Sequence, residues 1–279
     1  MFESFGARVV ETKAFRKALG MVNRLPLPFS RIPVTVFGNR VGAHTLDRFL
    51  ALWMWKFRLL GATEADLLSR LCKKGMRVVD IGANIGVFTM LLARCTGETG
   101  HVWAFEPDPG NYATLRQNLV LNRFPNVTAF PFAVGDVSGT GRLYRSPFQG
   151  DHRIRSSDPQ RDVVPIKIIS LDAFFPPEER IDLIKMDIQG AEAMALQGMK
   201  RLLASTPGII LFMEFWPKGL REMGFVPEKV LADLTSWGFV LKRVDGKTGC
   251  MESIEHPERF VRSLAGARYT NVLATPKAD

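Results

Sequence analysis

Cysteine and histidine are scarce in this 279-residue chain, with three of one and four of the other. Cys72, Cys95 and Cys250 lie far apart and form no C-x-x-C pair. That excludes a disulfide framework and a cysteine-built zinc site, and it fits a reducing compartment. Long apolar runs are missing as well. The most apolar stretch, Phe49 to Trp55, is bounded by Arg48 and Lys56. It falls far short of the roughly 20 residues that span a bilayer. Basic residues recur every few positions from Met1 to Arg40, which leaves no room for the apolar core of a secretory signal. Internal repeats and low-complexity tracts are absent.

What remains has the composition of a globular protein, 46% hydrophobic and 23% charged. The length suits one large α/β domain with an extension. A net charge of +9 suggests, taken whole, a nucleic acid or an anionic surface as partner. The distribution changes that. Residues 1–80 hold 14 Lys and Arg against 6 Asp and Glu, whereas residues 81–279 hold 23 against 22. The basicity belongs to the N-terminal part, and a nucleic-acid partner is not expected of the rest. Residues 1–60 read as a basic extension in which Pro26, Pro28 and Pro33 bar a long helix. Ile32 to Arg40 reads as a short strand and turn. Phe49 to Trp55 reads as an amphipathic helix packed on the domain. The alternative is an interfacial helix, with Trp53 and Trp55 at headgroup depth and Lys56 and Arg58 on anionic lipid.

From residue 76 onward, short apolar runs alternate with helical stretches. Met76–Ile81, His101–Phe105, Val127–Val134, Ile181–Met186, Gly208–Phe215, Phe239–Val244 and Tyr269–Ala274 read as seven strands. Helices are expected over Val87–Arg94, Pro109–Asn122, Ala191–Leu203 and Pro227–Trp237. This is the pattern of a doubly wound, mostly parallel sheet. Residues 136–175, rich in Gly, Ser and Asp, break the rhythm and read as an inserted hairpin or flap on the route to the ligand edge.

Ligands of such sheets bind beyond the carboxyl ends of the strands. The first turn there, Asp80-Ile81-Gly82-Ala83-Asn84-Ile85-Gly86, departs from the dinucleotide G-x-G-x-x-G. Asn84 takes the second glycine position and Val87 the third. No G-K-[ST] follows this turn, so it is not a phosphate P-loop. It fits an amino-acid-bearing nucleoside better. Glu106, 20 residues past Gly86 at the end of the second strand, is placed to accept hydrogen bonds from both ribose hydroxyls.

The segment Asp80 to Thr89 resembles the first motif of class I S-adenosylmethionine-dependent methyltransferases. Phe105-Glu106-Pro107-Asp108-Pro109 is similar to their ribose-binding motif, and Ala133-Val134-Gly135-Asp136 sits where the third strand would meet the adenine. Gly150-Asp151-His152-Arg153, Ser170-Leu171-Asp172, Ile184-Lys185-Met186-Asp187-Ile188-Gln189-Gly190-Ala191-Glu192 and Met213-Glu214-Phe215-Trp216-Pro217 narrow the match to the FkbM-type family. Members commonly carry Glu where this chain has Gln189. The resemblance implies a Rossmann-like α/β fold with a seven-stranded sheet over residues 61–279. It implies S-adenosyl-L-methionine as cofactor, held by Asp80, Gly82, Ala83, Asn84, Gly86, Glu106, Pro107, Ala133, Asp136 and Asp187. The expected reaction is O-methylation of a sugar, glycolipid or other small molecule by a cytoplasmic enzyme, with residues 1–60 contacting an anionic membrane peripherally. Transfer to an amine of a protein, or a non-catalytic membrane or nucleic-acid binder, are the alternatives. No N-P-P-[YF] motif follows the fourth strand, which argues against a base amine.

Methyl transfer to a hydroxyl needs an acceptor held in line and a base for its proton. Asp187 and Glu214 end the fourth and fifth strands, and His152 lies in the flap; these are the catalytic candidates. Asp187 could instead cap the following helix, and His152 could be an exposed loop histidine. A divalent metal on this trio is a weaker alternative, and no resident metal is expected.

Overall fold

The computed structural model describes residues 34–42, 61–146, 152–154, 161–264 and 269–277. The candidate amphipathic helix at Phe49–Trp55 lies outside them. The described chain opens on a hairpin, β1 (Val34–Val36) and β2 (Asn39–Val41), followed by α1 (Ala62–Leu71). An alternating series comes next: β3 (Arg77–Ile81), α2 (Val87–Thr96), β4 (His101–Phe105), α3 (Pro109–Asn122) and β5 (Val127–Phe130). β6 (Phe132–Val134) leads into the insertion, which holds β7 (Gly139–Arg145), β8 (Asp162–Ile169) and α4 (Leu171–Phe174). The second half runs β9 (Leu183–Met186), α5 (Glu192–Gln197), α6 (Lys200–Ser205), β10 (Ile210–Phe215), α7 (Pro217–Glu222), α8 (Pro227–Ser236) and β11 (Phe239–Val244). It closes with β12 (Met251–Ser253), α9 (Pro257–Ser263) and β13 (Thr270–Pro276).

The main sheet has the order β12-β11-β13-β10-β9-β3-β4-β5. β13 runs antiparallel to both neighbours, β12 is antiparallel to β11, and the remaining pairs are parallel. Seven of these strands make the expected Rossmann-like sheet, and β12 adds an eighth at the edge. The chain runs outward from β3 through β4 to β5, then returns to β9 on the other side of β3. The ligand crevice of such a sheet opens at that reversal.

Strand alternation decides which side chains share a face. Val78 lies beside Leu183, Asp80 beside Lys185, Lys185 beside Phe212, and Glu214 beside Asn271. The apolar members of this set pack under Leu67 and Leu68 of α1 and Leu91 and Leu92 of α2. Val79, Ile81, Met186 and Met213 point to the other face, against Leu196, Leu202, Leu220 and Leu231. Both faces are covered, which is why the central strands read as continuous apolar runs.

Two expected elements are divided. The strand expected over Val127–Val134 breaks at Pro131, which has no N–H to continue a ladder. β5 stays in the main sheet, and β6 joins a separate sheet of order β6-β8-β7. The helix expected over Ala191–Leu203 breaks at Gly198, whose backbone is pressed so close to Gly135 that a Cβ would overlap the Gly135 carbonyl oxygen. The N-terminal hairpin is docked on the domain. Val41 is fully buried with Ile85, Met90 and Leu115. Asn118 accepts from the Gly42 N–H, and Asn122 exchanges two hydrogen bonds with the Arg40 backbone.

Candidate active site

The turn after β3 joins three strand ends. The Gly82 and Ala83 N–H groups donate to the Phe105 carbonyl, both at 3.0 Å. Gly82 lies at φ +78°, and a Cβ there would overlap the Asp187 carbonyl oxygen. Asn84 is also left-handed, at φ +51°, a conformation Asn tolerates better than most residues. Its N–H reaches Glu106 Oε2 at 2.8 Å. The ends of β3, β4 and β9 are thereby locked together at the reversal point.

Asp80 supports this turn from below. Its fully buried carboxylate accepts from Thr89 Oγ1 at 2.6 Å and faces Lys185 Nζ at 3.4 Å. Oδ2 takes the Thr89 hydroxyl, and Oδ1 has, among the described residues, no hydrogen-bond partner beyond the facing ammonium. Ala83 and Ala133 also turn their side chains into apolar clusters, and Ala133 sits in β6, outside the main sheet. Only their backbones are left to meet a ligand. Gly86 opens α2 at φ +92° against Leu115. Pro107 is half-buried beside Glu106, and Asp136 is exposed, its carboxylate accepting from the Val137 N–H.

Glu106 is buried at the carboxyl end of β4. Oε1 accepts from the Asp108 N–H at 2.9 Å and Oε2 from Asn84. A side-chain hydrogen bond with Asn111 adds to these. Burial pushes the carboxyl up to about 7, against the pull of those N–H groups. Asp108 caps α3 through the Gly110 and Asn111 N–H groups and pairs with Arg145 of the flap at 2.8 Å. His152 sits here too. Its Nδ1 accepts from the Ser146 N–H at 3.1 Å, and its Nε2 lies 3.9 Å from Asp108. The ring's lone pair is therefore taken by the flap backbone. The next residue, Arg153, lies over the Trp216 ring and pairs with Glu222. The flap thus runs from the end of β4 to the elements that follow β10. Asp151, beside His152, lies outside the described residues.

The second half of the site follows β9 and β10. Asp187 is not a helix cap, since α5 starts at Glu192 without a side-chain cap. Glu192 itself, fully buried, accepts from the Ile188 and Gly190 N–H groups. Burial raises it to about 7. Gln189, left-handed at φ +55°, places its amide between two carboxylates. Nε2 donates to Asp187 Oδ1 at 3.1 Å and to Glu214 Oε2 at 2.9 Å. Glu214 is buried, and its carboxyl is pushed well above the usual range by burial and then by Asp187, Glu192 and Glu64, with Lys185 opposing. Burial alone would discharge Lys185, but Asp80 and Asp187 outweigh it and raise its proton affinity. Among the described residues, no group of three His, Cys, Asp or Glu side chains is arranged to hold a metal ion.

Sequence reasoning placed Asp187 and Glu214 at the ends of the fourth and fifth strands, and the structure joins them there through Gln189. It places His152 beside Asp108, at the end of β4, instead. Lys185, Gln189, Asn271 and Glu64 were missed as site residues. Period-2 alternation from Asp187 back to Lys185 could have flagged the lysine; nothing local flags Glu64 or Asn271.

A nucleoside-type turn, a strand-end carboxylate and an acid-rich reversal point, on a sheet with one reversed inner strand, define a class I methyltransferase domain. The model of the "Methyltransferase FkbM domain" matches residues 80–241, more than half of the chain, and the chain belongs to that family. Among its relatives is the hexuronic acid methyltransferase AglP of Haloferax volcanii, 28% identical over 57% of this chain and 65% of that protein. The 2-O-methyltransferase NoeI of Sinorhizobium fredii is 27% identical over 61% of this chain and 74% of its own length. Methyltransferase 1 of Beauveria bassiana is 26% identical over 44% of this chain. The match spans 57% of that fungal relative and 65% of AglP, less than two thirds of either.

Proposed function

We propose that the chain is an S-adenosylmethionine-dependent O-methyltransferase whose acceptor is a hydroxyl of a saccharide or a related small molecule. The observation that carries this is the Gln189 amide joining Asp187 and Glu214 beside the glycine turn. The donor set suits the cofactor. Glu106 ends β4 beside the glycine turn, the position from which a carboxylate meets ribose hydroxyls. At the other end, Asp187 and Glu214 suit a cationic ligand. S-adenosylmethionine, when bound, supplies an electrophilic methyl on a sulfonium centre. Glu106 orients the nucleoside. Asp187, which faces Lys185 at 3.9 Å, and the bridging Gln189 hold the acceptor hydroxyl. Glu214 takes the hydroxyl proton as the oxygen–carbon bond forms and the sulfur–carbon bond breaks. Its raised proton affinity favours receipt of that proton. His152, with its lone pair engaged, serves to fasten the flap.

The hexuronic acid methyltransferase AglP supports a saccharide acceptor, and the 2-O-methyltransferase NoeI supports transfer to oxygen. A peripheral contact of residues 1–60 with an anionic membrane belongs to the same proposal. The test is calorimetry with S-adenosylhomocysteine, followed by radiolabelled methyl transfer to neutral and uronic-acid saccharides. Binding and transfer to a hydroxyl are expected. Failure to bind either form of the cofactor would sink the reading.

A further inference from the structure

The family match covers residues 80–241, yet two side chains outside it reach the reacting end of the sheet. β13 lies beside β10 with Asn271 opposite Glu214. Residues directly opposite in an antiparallel pair share a face, with Cβ atoms about 5 Å apart. Asn271 is 6% exposed, and its Nδ2 donates to Glu64 Oε1 at 2.6 Å. Glu64 stands in the first turn of α1, and Ala65, Leu67 and Leu68 of the same helix are packed on this face. The row across the strand ends is thus Asp187, Glu214 and Asn271, with Glu64 above it.

We infer that Glu64 is a positioning residue for Glu214, anchored by Asn271 so that its negative charge stands over the base. This rests on the reading of Glu214 as the base. The groups around Glu214 come from four places. Asp187, Gln189 and Glu192 follow β9, and Lys185 lies on it; Asn271 comes from β13 and Glu64 from α1. Gln189 supplies a donor, Lys185 the opposing positive charge, and Asp187, Glu192 and Glu64 the negative charges. A carboxylate facing another carboxylate strengthens its hold on a proton. Glu64 therefore helps Glu214 accept the hydroxyl proton and also favours the charged form of Lys185. Its effect is transmitted through the field and the Asn271 bond, without contact with the reacting atoms. A helix and a strand beyond the motif-bearing segment are in this way part of the site.

The test is a carbon-13 NMR titration of the full chain labelled at the glutamate carboxyls. The Glu214 signal is identified by its loss in Glu214→Gln. In Glu64→Gln the Glu214 midpoint falls by about half a pH unit or more. The acid limb of the methyl-transfer profile moves the same way, while KM for S-adenosylmethionine holds. Asn271→Ala, which removes the hydrogen bond that holds Glu64 Oε1, shifts the midpoint in the same direction and serves if Glu64→Gln melts early. An unmoved Glu214 midpoint in a folded variant overturns the inference. If Glu214→Gln keeps the wild-type rate, the assignment of the base fails instead; the titration still reports whether Glu64 sets the proton affinity of Glu214.

Discussion

Glu106 and Glu192 are carboxylates whose burial works against their own charge. Both are held near 7, against about 4.5 for the unfolded chain, so each binds a proton more tightly when folded. The stability they add is full below pH 4.5 and is lost as the pH rises through 7. The ligand-free protein should therefore melt several degrees lower at pH 8 than at pH 5. Glu192→Gln should flatten that fall, and a Tm independent of pH between 5 and 8 would contradict it. Glu106→Ala removes the carboxylate proposed to meet the ribose hydroxyls and leaves the Asn84 and Asp108 N–H groups without their acceptor. Loss of such charge-assisted bonds weakens S-adenosylhomocysteine binding by roughly tenfold to a hundredfold, readable by calorimetry. Gly82→Ala is the structural counterpart. With φ at +78° and the Asp187 carbonyl in the way, a methyl group there must displace β9 or the turn. We expect a Tm lower by several degrees, together with weakened cofactor binding.

Elements were legible where their cause was local. A turn marked by Gly82 and Gly86, short apolar runs and a proline-led helix at Pro109 disclose strand, turn and helix with no partner in view. Pairing across the sheet is another matter. Asn271 and Glu64 are 207 residues apart in sequence, and only the register of β13 on β10 brings one of them opposite Glu214. Gln189 was visible as a departure from the family pattern; its left-handed backbone and its two carboxylate partners were not. Likewise, the flap was legible as an insertion, but its fastening was not. Arg145 and His152 hold it to Asp108, and Arg153 holds it to Trp216 and Glu222. Arg153→Ala cuts the second tie at an exposed rim, where a cation–π contact contributes about 0.5–2 kcal/mol. The variant should release S-adenosylhomocysteine roughly 2- to 30-fold faster in stopped-flow displacement, with its Tm nearly unchanged. An unaltered release rate would show that this end of the flap does not retain the ligand.

At the scale of the molecule, the basic extension is not one uniform appendage. Among the described residues no helix is long and apolar enough to cross a membrane. Residues 1–33 carry six Lys and Arg against two Asp and Glu. Residues 34–42 do something else. Val41 is fully buried among Ile85, Met90 and Leu115, and Arg94 donates to the Gly38 carbonyl and to Asn39. Their removal would expose an apolar patch on α2 and α3 and strip Asn118 and Asn122 of partners. Burying a Val side chain alone stabilises by roughly 1.5–3 kcal/mol. Two truncations separate the roles. A chain starting at residue 34 should keep most of its Tm while losing salt-sensitive pelleting with phosphatidylglycerol vesicles. One starting at residue 43 should melt several degrees lower again. Equal melting of the two would mean that the hairpin contributes nothing to the domain, and vesicle binding that survives the first truncation or 0.5 M salt (a Debye length of roughly 4 Å) would show that charge on residues 1–33 is not what attaches the chain.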